Sequence, residues 1–189
     1  MNANVGMQYP VYAPVNVYTP GTSITYNTGA VAGEAVSAAL SWERVDGHFY
    51  GDDVELDSDN GVLGYTLDIE LSGLKDSVRA ALLGDDLANS EYTITDEAAP
   101  DVGFGYIRVM RDKGMVSYEG WWFCKLKFSI SSEETRTKER SIEWRVPTLQ
   151  GTGAGVSLDS TGKLKFAVHE TFTTFSAAQT WLKAKAGIT

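Results

Sequence analysis

Two long runs of alternating apolar and polar residues constrain the fold of this chain more than any other feature. They cover residues 102–111 and 118–130, with Asp112-Lys113-Gly114 between them. Aromatic and β-branched residues that recur at period two are typical of strands, and a short turn sequence with glycine is typical of a hairpin. The sequence therefore predicts two long antiparallel strands joined by a tight turn.

A charge cluster and a third alternating run follow this hairpin. The cluster covers residues 131–140, and the run over residues 141–146 ends at Pro147. Period-two spacing predicts one core face on the second hairpin strand, with Trp121 and Phe123 on the opposite face. The residues expected to fill the core are Trp122, Cys124, Leu126 and Phe128, with Ile142, Trp144 and Val146 packed against them.

The single cysteine, Cys124, lies within that apolar pattern. We therefore expect a buried core thiol rather than a nucleophile. One cysteine cannot form an internal disulfide, and a free thiol fits a reducing compartment.

The composition favours a mainly β protein with one or two short helices. Apolar residues make up 43% of the 189 residues, enough for the core of one domain. The 5 Trp, 9 Tyr and 7 Phe lie mostly in alternating runs. Further strands are predicted over residues 34–45, 63–71, 148–157 and 163–169, the last two as a pair. Short helices are predicted over residues 74–82, closed by Gly84, and over residues 177–186, capped by Ser176.

The predicted domain organisation is an extended N-terminal arm, residues 1–33, followed by one β domain, residues 34–189. The arm is poor in charge, and prolines interrupt any long strand, although short β pairs fit residues 9–17 and 22–27. Residues 46–61 carry six carboxylates and neither Lys nor Arg. Such a segment does not pack as a core, so we expect a long, solvated acidic loop.

Charge and apolar patterning argue against several classes of protein. With 16 basic and 25 acidic residues, the formal net charge is −9, whereas a nucleic-acid-binding protein normally carries a basic stripe. No apolar run approaches the roughly 18 residues of a membrane-spanning helix. The first residues show no basic segment followed by an apolar one. We expect a soluble protein that is made in the cytoplasm.

Candidate catalytic residues are few. The only histidines are His48, beside the acidic stretch, and His169, on the polar face of its strand, and both are expected to be surface or interface residues. The glycines at 151, 153 and 155 resemble a phosphate-binding loop. No helix or lysine follows them, so we expect a strand that another backbone approaches closely. The sequence predicts neither an enzyme nor a cofactor.

Two binding roles remain open at this point. The carboxylates at residues 52–59 do not fit an EF-hand loop, which leaves an irregular cation site or, preferably, a solvated surface that contacts a partner. Trp121 and Phe123 would suit a sugar-binding platform. A strand that is apolar on both faces is more simply central in a sandwich or covered by a neighbouring subunit. A carbohydrate-binding β-sandwich therefore stays an alternative.

The stretch DEAAPDVGFGYIRVMRDKG, followed by YEGWWFCKLKFSISSEETRTKERSIEWRVPTLQGT, resembles the major tail protein family of long, non-contractile bacteriophage tails. The shared pattern is an aromatic strand, a Glu-Glu and Thr-Lys-Glu cluster, and a strand that ends in Pro-Thr-Leu. The acidic segment from Tyr50 to Asp53 and the strand plus helix over residues 64–84 are also similar. The resemblance covers residues 34–155.

This resemblance implies a structural protein of the virion tail, made in the host cytoplasm. Its subunits would have a β-sandwich or barrel tail-tube fold and would form stacked hexameric rings, the conduit for DNA ejection. The implied partners are other copies, a tape measure protein, and tail terminator or baseplate proteins. DNA would pass without sequence-specific binding, and no membrane is involved. A tube protein of a contractile or type VI secretion-like system has a similar fold and is the alternative in the same class.

Under this resemblance, three sets of residues are candidate functional sites. Contacts between rings are expected at Tyr50, Asp52, Asp53 and Asp57. Contacts between neighbouring subunits are expected at Glu133, Glu134, Lys138 and Glu139. Asp68 and Glu70, on the wet face of the strand over residues 63–71, are the candidate lumen residues. An acidic lining repels DNA over a Debye length of roughly 8 Å and would let it slide.

Overall fold

The computed structural model describes residues 3–51, 54–132 and 146–189. The fold is mainly β, with a large antiparallel sheet and two short helices, as the sequence predicts. The helices are α1 (Asp76–Leu83) and α2 (Phe175–Ala186). The strands are β1 (Ala3–Thr19), β2 (Ser23–Tyr26), β3 (Ala30–Val31), β4 (Glu34–Arg44), β5 (Gly47–Gly51), β6 (Val54–Asp59), β7 (Val62–Ser72), β8 (Asp86–Ala88), β9 (Glu91–Thr93), β10 (Val102–Asp112), β11 (Met115–Ser132), β12 (Thr148–Ala154), β13 (Val156–Ser157), β14 (Leu164–Lys165) and β15 (Ala167–Phe172).

The main sheet has the strand order β2-β1-β10-β11-β12-β7-β4, with β3 added to β1 and β15 added to β11. The sheet curves until β4, at one end of this order, lies close to β1. Its inner face encloses the main core, in which the aromatic rings of Tyr65 and Phe123 lie 5.2 Å apart between their centroids. The pairs β5–β6, β8–β9 and β13–β14 form separate two-stranded ribbons.

The predicted hairpin is confirmed as β10 and β11, which pair from Asp112 and Met115 at the turn to Val102 and Leu126. Lys113 and Gly114 form the turn with φ angles of 47° and 90°. Positive φ at both central residues is the geometry of a type I′ turn, whose twist matches that of the two strands.

A β-bulge in β11 divides the core face that the sequence predicts as continuous. Phe104 pairs with Phe123, but Val102 pairs with Leu126, so β11 has one extra residue in this interval. Phe123, Leu126 and Phe128 consequently share the inner core, whereas Trp122 packs with α2 on the outer face. The expected burial of Trp122 is found. The period-two prediction that groups Trp122 with Leu126 and places Phe123 on the opposite face is wrong, because the bulge reverses the alternation.

The N-terminal segment lies within the main sheet. The predicted short pairs are confirmed, since β1 pairs with β2 from Val15 opposite Tyr26 onwards. β1 also pairs with β10 over residues 3–14, and Val11 and Ala13 are fully buried. Pro10 is accommodated because it falls at a register shift, where the ladder is already interrupted. The division into an arm and a domain stays a prediction, but this segment contributes core residues that the sequence pattern does not suggest.

The acidic stretch has more regular structure than the sequence suggests. Gly47 pairs with Asp59 and Gly51 with Val54, so β5 and β6 form an antiparallel ribbon instead of an irregular loop. The predicted long loop is therefore largely a two-stranded ribbon, which satisfies backbone hydrogen bonds without a core. The ribbon continues from the β4–β7 pair. At the junction, Val45 N–H, just after β4, donates to Gly61 O, just before β7, at 2.8 Å.

The two helices are confirmed, with one correction. α1 ends at Gly84 in the left-handed conformation, as predicted, and its buried residues are Val78 and Leu82. α2 begins at Phe175, and its N-cap is Thr174, whose side chain accepts from Ala177 N–H at 3.3 Å. The prediction of Ser176 as the cap is wrong because the helix starts earlier than the apolar pattern indicates. The buried face of α2 covers the outer face of β1, β10 and β11.

Candidate interaction surfaces

Strand β4 forms an open edge of the main sheet. Among the strand pairings of the described residues, β4 has one partner, β7. None of its eleven residues is buried, and Val36 and Trp42 are 52% and 39% exposed. An exposed edge with apolar side chains is a template for pairing with another strand.

A cleft of about 500 Å³ separates β4 from the N-terminal part of β1. Apolar and aromatic side chains form much of its lining, and Ser37 and Arg108 add polar groups. The apolar and aromatic lining residues are Met7, Val36, Ala38, Leu40, Trp42, Tyr106 and Trp121. The cleft places a concave apolar surface next to the open edge of β4.

The outer face of β7, β12 and β4 is polar and carries the candidate lumen residues. Leu67 and Ile69 are fully buried, so Asp68 and Glu70 point to the opposite face, as the sequence predicts. Gln150 Nε2 donates to Asp68 Oδ1 at 2.9 Å, and the Ser37 hydroxyl donates to Glu70 Oε2 at 2.8 Å. These hydrogen bonds orient both carboxylates on a surface that carries short polar side chains.

The structure describes only some of the other predicted contact residues. Tyr50 and Asp57 lie on β5 and β6, opposite Glu55 and Phe49 respectively. Asp52 and Asp53 lie outside the described residues. Residues 133–140 of the charge cluster, with Glu133, Glu134, Lys138 and Glu139, also lie outside them, as do residues 141–145 of the strand predicted over residues 141–146.

The exposed aromatic platform that the sequence suggests is already occupied by neighbouring side chains. The Arg108 guanidinium carbon lies 4.8 Å from the Trp121 ring centroid, and the His169 ring stacks on Trp121 at 4.7 Å. Glu119 binds both Trp121 and Arg108, since its Oε2 accepts from Trp121 Nε1 at 3.2 Å and lies 3.0 Å from Arg108 Nη2. Phe123 is fully buried. These contacts disfavour Trp121 as a surface for stacking a sugar ring.

The residues considered for chemistry do not converge. His48 Nε2 lies 2.9 Å from Asp46 Oδ1, and both residues are exposed. His48 lies in the separate β5–β6 sheet, whereas His169 lies on β15 of the main sheet. No group of His, Cys, Asp and Glu suited to a metal ion is found within residues 3–51, 54–132 and 146–189. Cys124 is buried, as predicted, and burial raises the pKa of its thiol, an effect that the ammonium groups of Lys185 and Lys165 oppose.

The glycines of the GTGAG segment have a packing role. Gly151 and Gly153 lie on the regular strand β12, and a Cβ added at Gly151 would be 2.5 Å from Leu126 Cδ1. A Cβ at Gly153 would overlap the Tyr65 ring. The predicted strand is confirmed, but the close neighbours are side chains rather than another backbone.

Comparison with models of known protein families and with curated protein sequences finds no match for this chain. None of the helices in the described parts of the chain is long and apolar enough to cross a membrane.

Proposed function

We propose that this protein is a structural subunit of a bacteriophage tail tube, which assembles with copies of itself into stacked hexameric rings. The proposal starts from the sequence resemblance to major tail proteins over residues 34–155. In this role the chain binds no cofactor and catalyses no reaction. Its tail-tube fold would be the assembled form of the mainly β structure described above.

The open edge of β4 is the observation that carries the proposal. An edge strand of eleven residues with exposed Val36 and Trp42 is an aggregation hazard for a monomer. A heterologous contact that closes into a ring covers such an edge in every copy. The apolar cleft beside β4 adds surface that association would remove from water.

The polar outer face supports a role as a tube lining. Asp68 and Glu70 are its central carboxylates, and their hydrogen bonds to Gln150 and Ser37 hold them in place. At such a surface, negative charge repels DNA, and short hydroxyl side chains offer little for a base to stack on. An Asp68→Asn and Glu70→Gln double variant should form tubes normally but slow DNA ejection; unchanged ejection would exclude this face as the lining.

Sedimentation velocity of the purified full-length chain tests the proposal. Over a series of rising concentrations, we expect ring-sized and larger species to form at the expense of the monomer. A single monomer species at all concentrations, together with binding to immobilised polysaccharide, would instead support the carbohydrate-binding alternative.

A further inference from the structure

We propose that the cleft between β4 and β1 is a binding site for a small apolar carboxylate, a molecule that carries one carboxylate group on a short aliphatic or aromatic body. The cleft has a volume of about 500 Å³, within the range of roughly 300–1,000 Å³ that is usual for small-molecule sites. The inference goes beyond the tube proposal and does not depend on it, because the cleft lies within one copy of the chain.

The walls of the cleft suit an apolar ligand body. Met7 on β1 and Leu40 on β4 contribute aliphatic surface, and Trp42 contributes an indole ring that is 39% exposed. The Trp42 ring is supported from the core side by the Tyr65 ring, at 5.6 Å between centroids. A ligand that covers these side chains would remove apolar surface from water.

A buried tyrosine supplies the first polar group. Tyr106 lines the cleft and is only 6% exposed, and its hydroxyl forms no hydrogen bond with any residue that the structure describes. The hydroxyl is not fully enclosed, so the small exposed part of Tyr106 opens onto the cleft. Burial raises the pKa of this phenol, so at neutral pH the group keeps its proton and donates. Because buried polar groups are normally hydrogen-bonded, the hydroxyl marks a position for a ligand atom.

A fixed guanidinium supplies the second polar group. Arg108 also lines the cleft and lies two residues after Tyr106 on β10, so the two side chains project from the same face of the strand. Arg108 Nε donates to Glu119 Oε2 at 3.2 Å, and Nη2 lies 3.0 Å from the same oxygen. The guanidinium carbon lies 4.8 Å from the Trp121 ring centroid. These contacts hold the group in place, and Nη1 has no partner within the described part of the chain.

These two groups favour a carboxylate over a neutral or cationic ligand. A carboxylate accepts hydrogen bonds and donates none, which matches the Tyr106 hydroxyl and Arg108 Nη1. Hydrogen bonds between charged groups are about twice as strong as neutral ones. Neither Asp nor Glu is among the described residues that line the cleft, and Arg108 is the one charged side chain among them. A cationic ligand would therefore be repelled where a carboxylate is bound.

Titration of the purified full-length chain with three ligands that share one alkyl chain tests the inference. Isothermal titration calorimetry should show that octanoate binds about tenfold to 100-fold more tightly than octanol, and that octylamine binds most weakly. In NMR spectra, octanoate should shift the indole N–H signals of Trp42 and Trp121, which line the cleft. The signal of Trp181, which packs against Phe172, should not move.

Substitutions separate binding from folding. Tyr106→Phe should weaken octanoate binding about tenfold without lowering the melting temperature, because the hydroxyl has no partner to lose in the described chain. The matched control is Tyr65→Phe, which removes the donor to Lys125 O at 3.1 Å and should lower the melting temperature but leave octanoate affinity unchanged. Arg108→Lys keeps a positive charge beside Glu119 but lacks the planar fork, and it should weaken binding by a similar factor.

Equal affinities for octanoate and octanol, or unchanged octanoate affinity in both Tyr106→Phe and Arg108→Lys, would overturn the inference. Absence of octanoate binding, with Trp42 and Trp121 signals that shift only as the chain assembles, would also overturn it and would assign the cleft to a second copy. Octanoate binding by a chain that stays monomeric at all concentrations would support the site and overturn the tube proposal.

Discussion

Replacement of Val36 by lysine should block assembly without unfolding the subunit. Val36 lies on the open edge of β4, at the register shift between Ala35 and Ser37, and is 52% exposed. The monomer loses little packing at such a site, so its free energy of unfolding should change by less than about 0.5 kcal/mol. Lysine on a sheet edge is also the residue that natural proteins use to prevent strand pairing.

The expected loss of association free energy follows from the exposed half of the Val36 side chain. Full burial of a valine side chain contributes about 1.5–3 kcal/mol, so covering the exposed half contributes about 1 kcal/mol. A lysine in the same contact also loses hydration, at a cost of about 1–3 kcal/mol or more. The sum, about 2–4 kcal/mol for each contact, weakens association about 30-fold to 1,000-fold.

Sedimentation velocity measures this change as a shift in the concentration at which half of the chains are assembled. Val17→Lys is the matched control, because Val17 is 53% exposed but its strand, β1, is paired with β2 at this point. Thermal unfolding of both variants reports monomer stability. Assembly of Val36→Lys at the concentration of the unchanged protein would refute the argument that β4 is a contact edge.

Three further predictions concern the subunit itself. Thr174→Ala should reduce stability by about 1 kcal/mol in denaturant unfolding, whereas Ser176→Ala should have little effect, since the Thr174 side chain caps α2. Leu182→Ala should cost about 2–5 kcal/mol because Leu182 is fully buried between α2 and the main sheet, while exposed Thr180→Ala should cost less than about 0.5 kcal/mol; equal melting temperatures would contradict this packing. Burial raises the pKa values of Tyr26 and Tyr65, and burial with the Asp85 hydrogen bond raises the pKa of Tyr92 to about 12. Because the folded state favours the neutral phenols, their contribution to the free energy of unfolding is complete below about pH 10 and should be lost as the pH rises towards 12. A melting temperature that stays constant over that range would contradict this prediction.

The sequence predicts most strands because period two and turn chemistry are local signals. The β10–β11 hairpin follows from alternation on both sides of Asp112-Lys113-Gly114, and α1 follows from its helical spacing and Gly84. The bulge near Cys124 has no such signal, since an extra residue in one strand depends on pairing with the other. The buried position of Val11 is equally non-local, because it depends on β10 and α2, which lie far along the chain.

Candidate surfaces are less predictable from sequence than strands are. The wet face with Asp68 and Glu70 follows from alternation, and the structure bears out that orientation. The open edge of β4 does not, since which strand lies at the end of a sheet is a property of the whole topology.

Negative-stain electron microscopy of the purified full-length protein tests the central claim, self-assembly into a tube, most directly. At high protein concentration we predict closed rings or tubes of even width, with a central channel. A field of separate, monomer-sized particles at the same concentration would contradict the account.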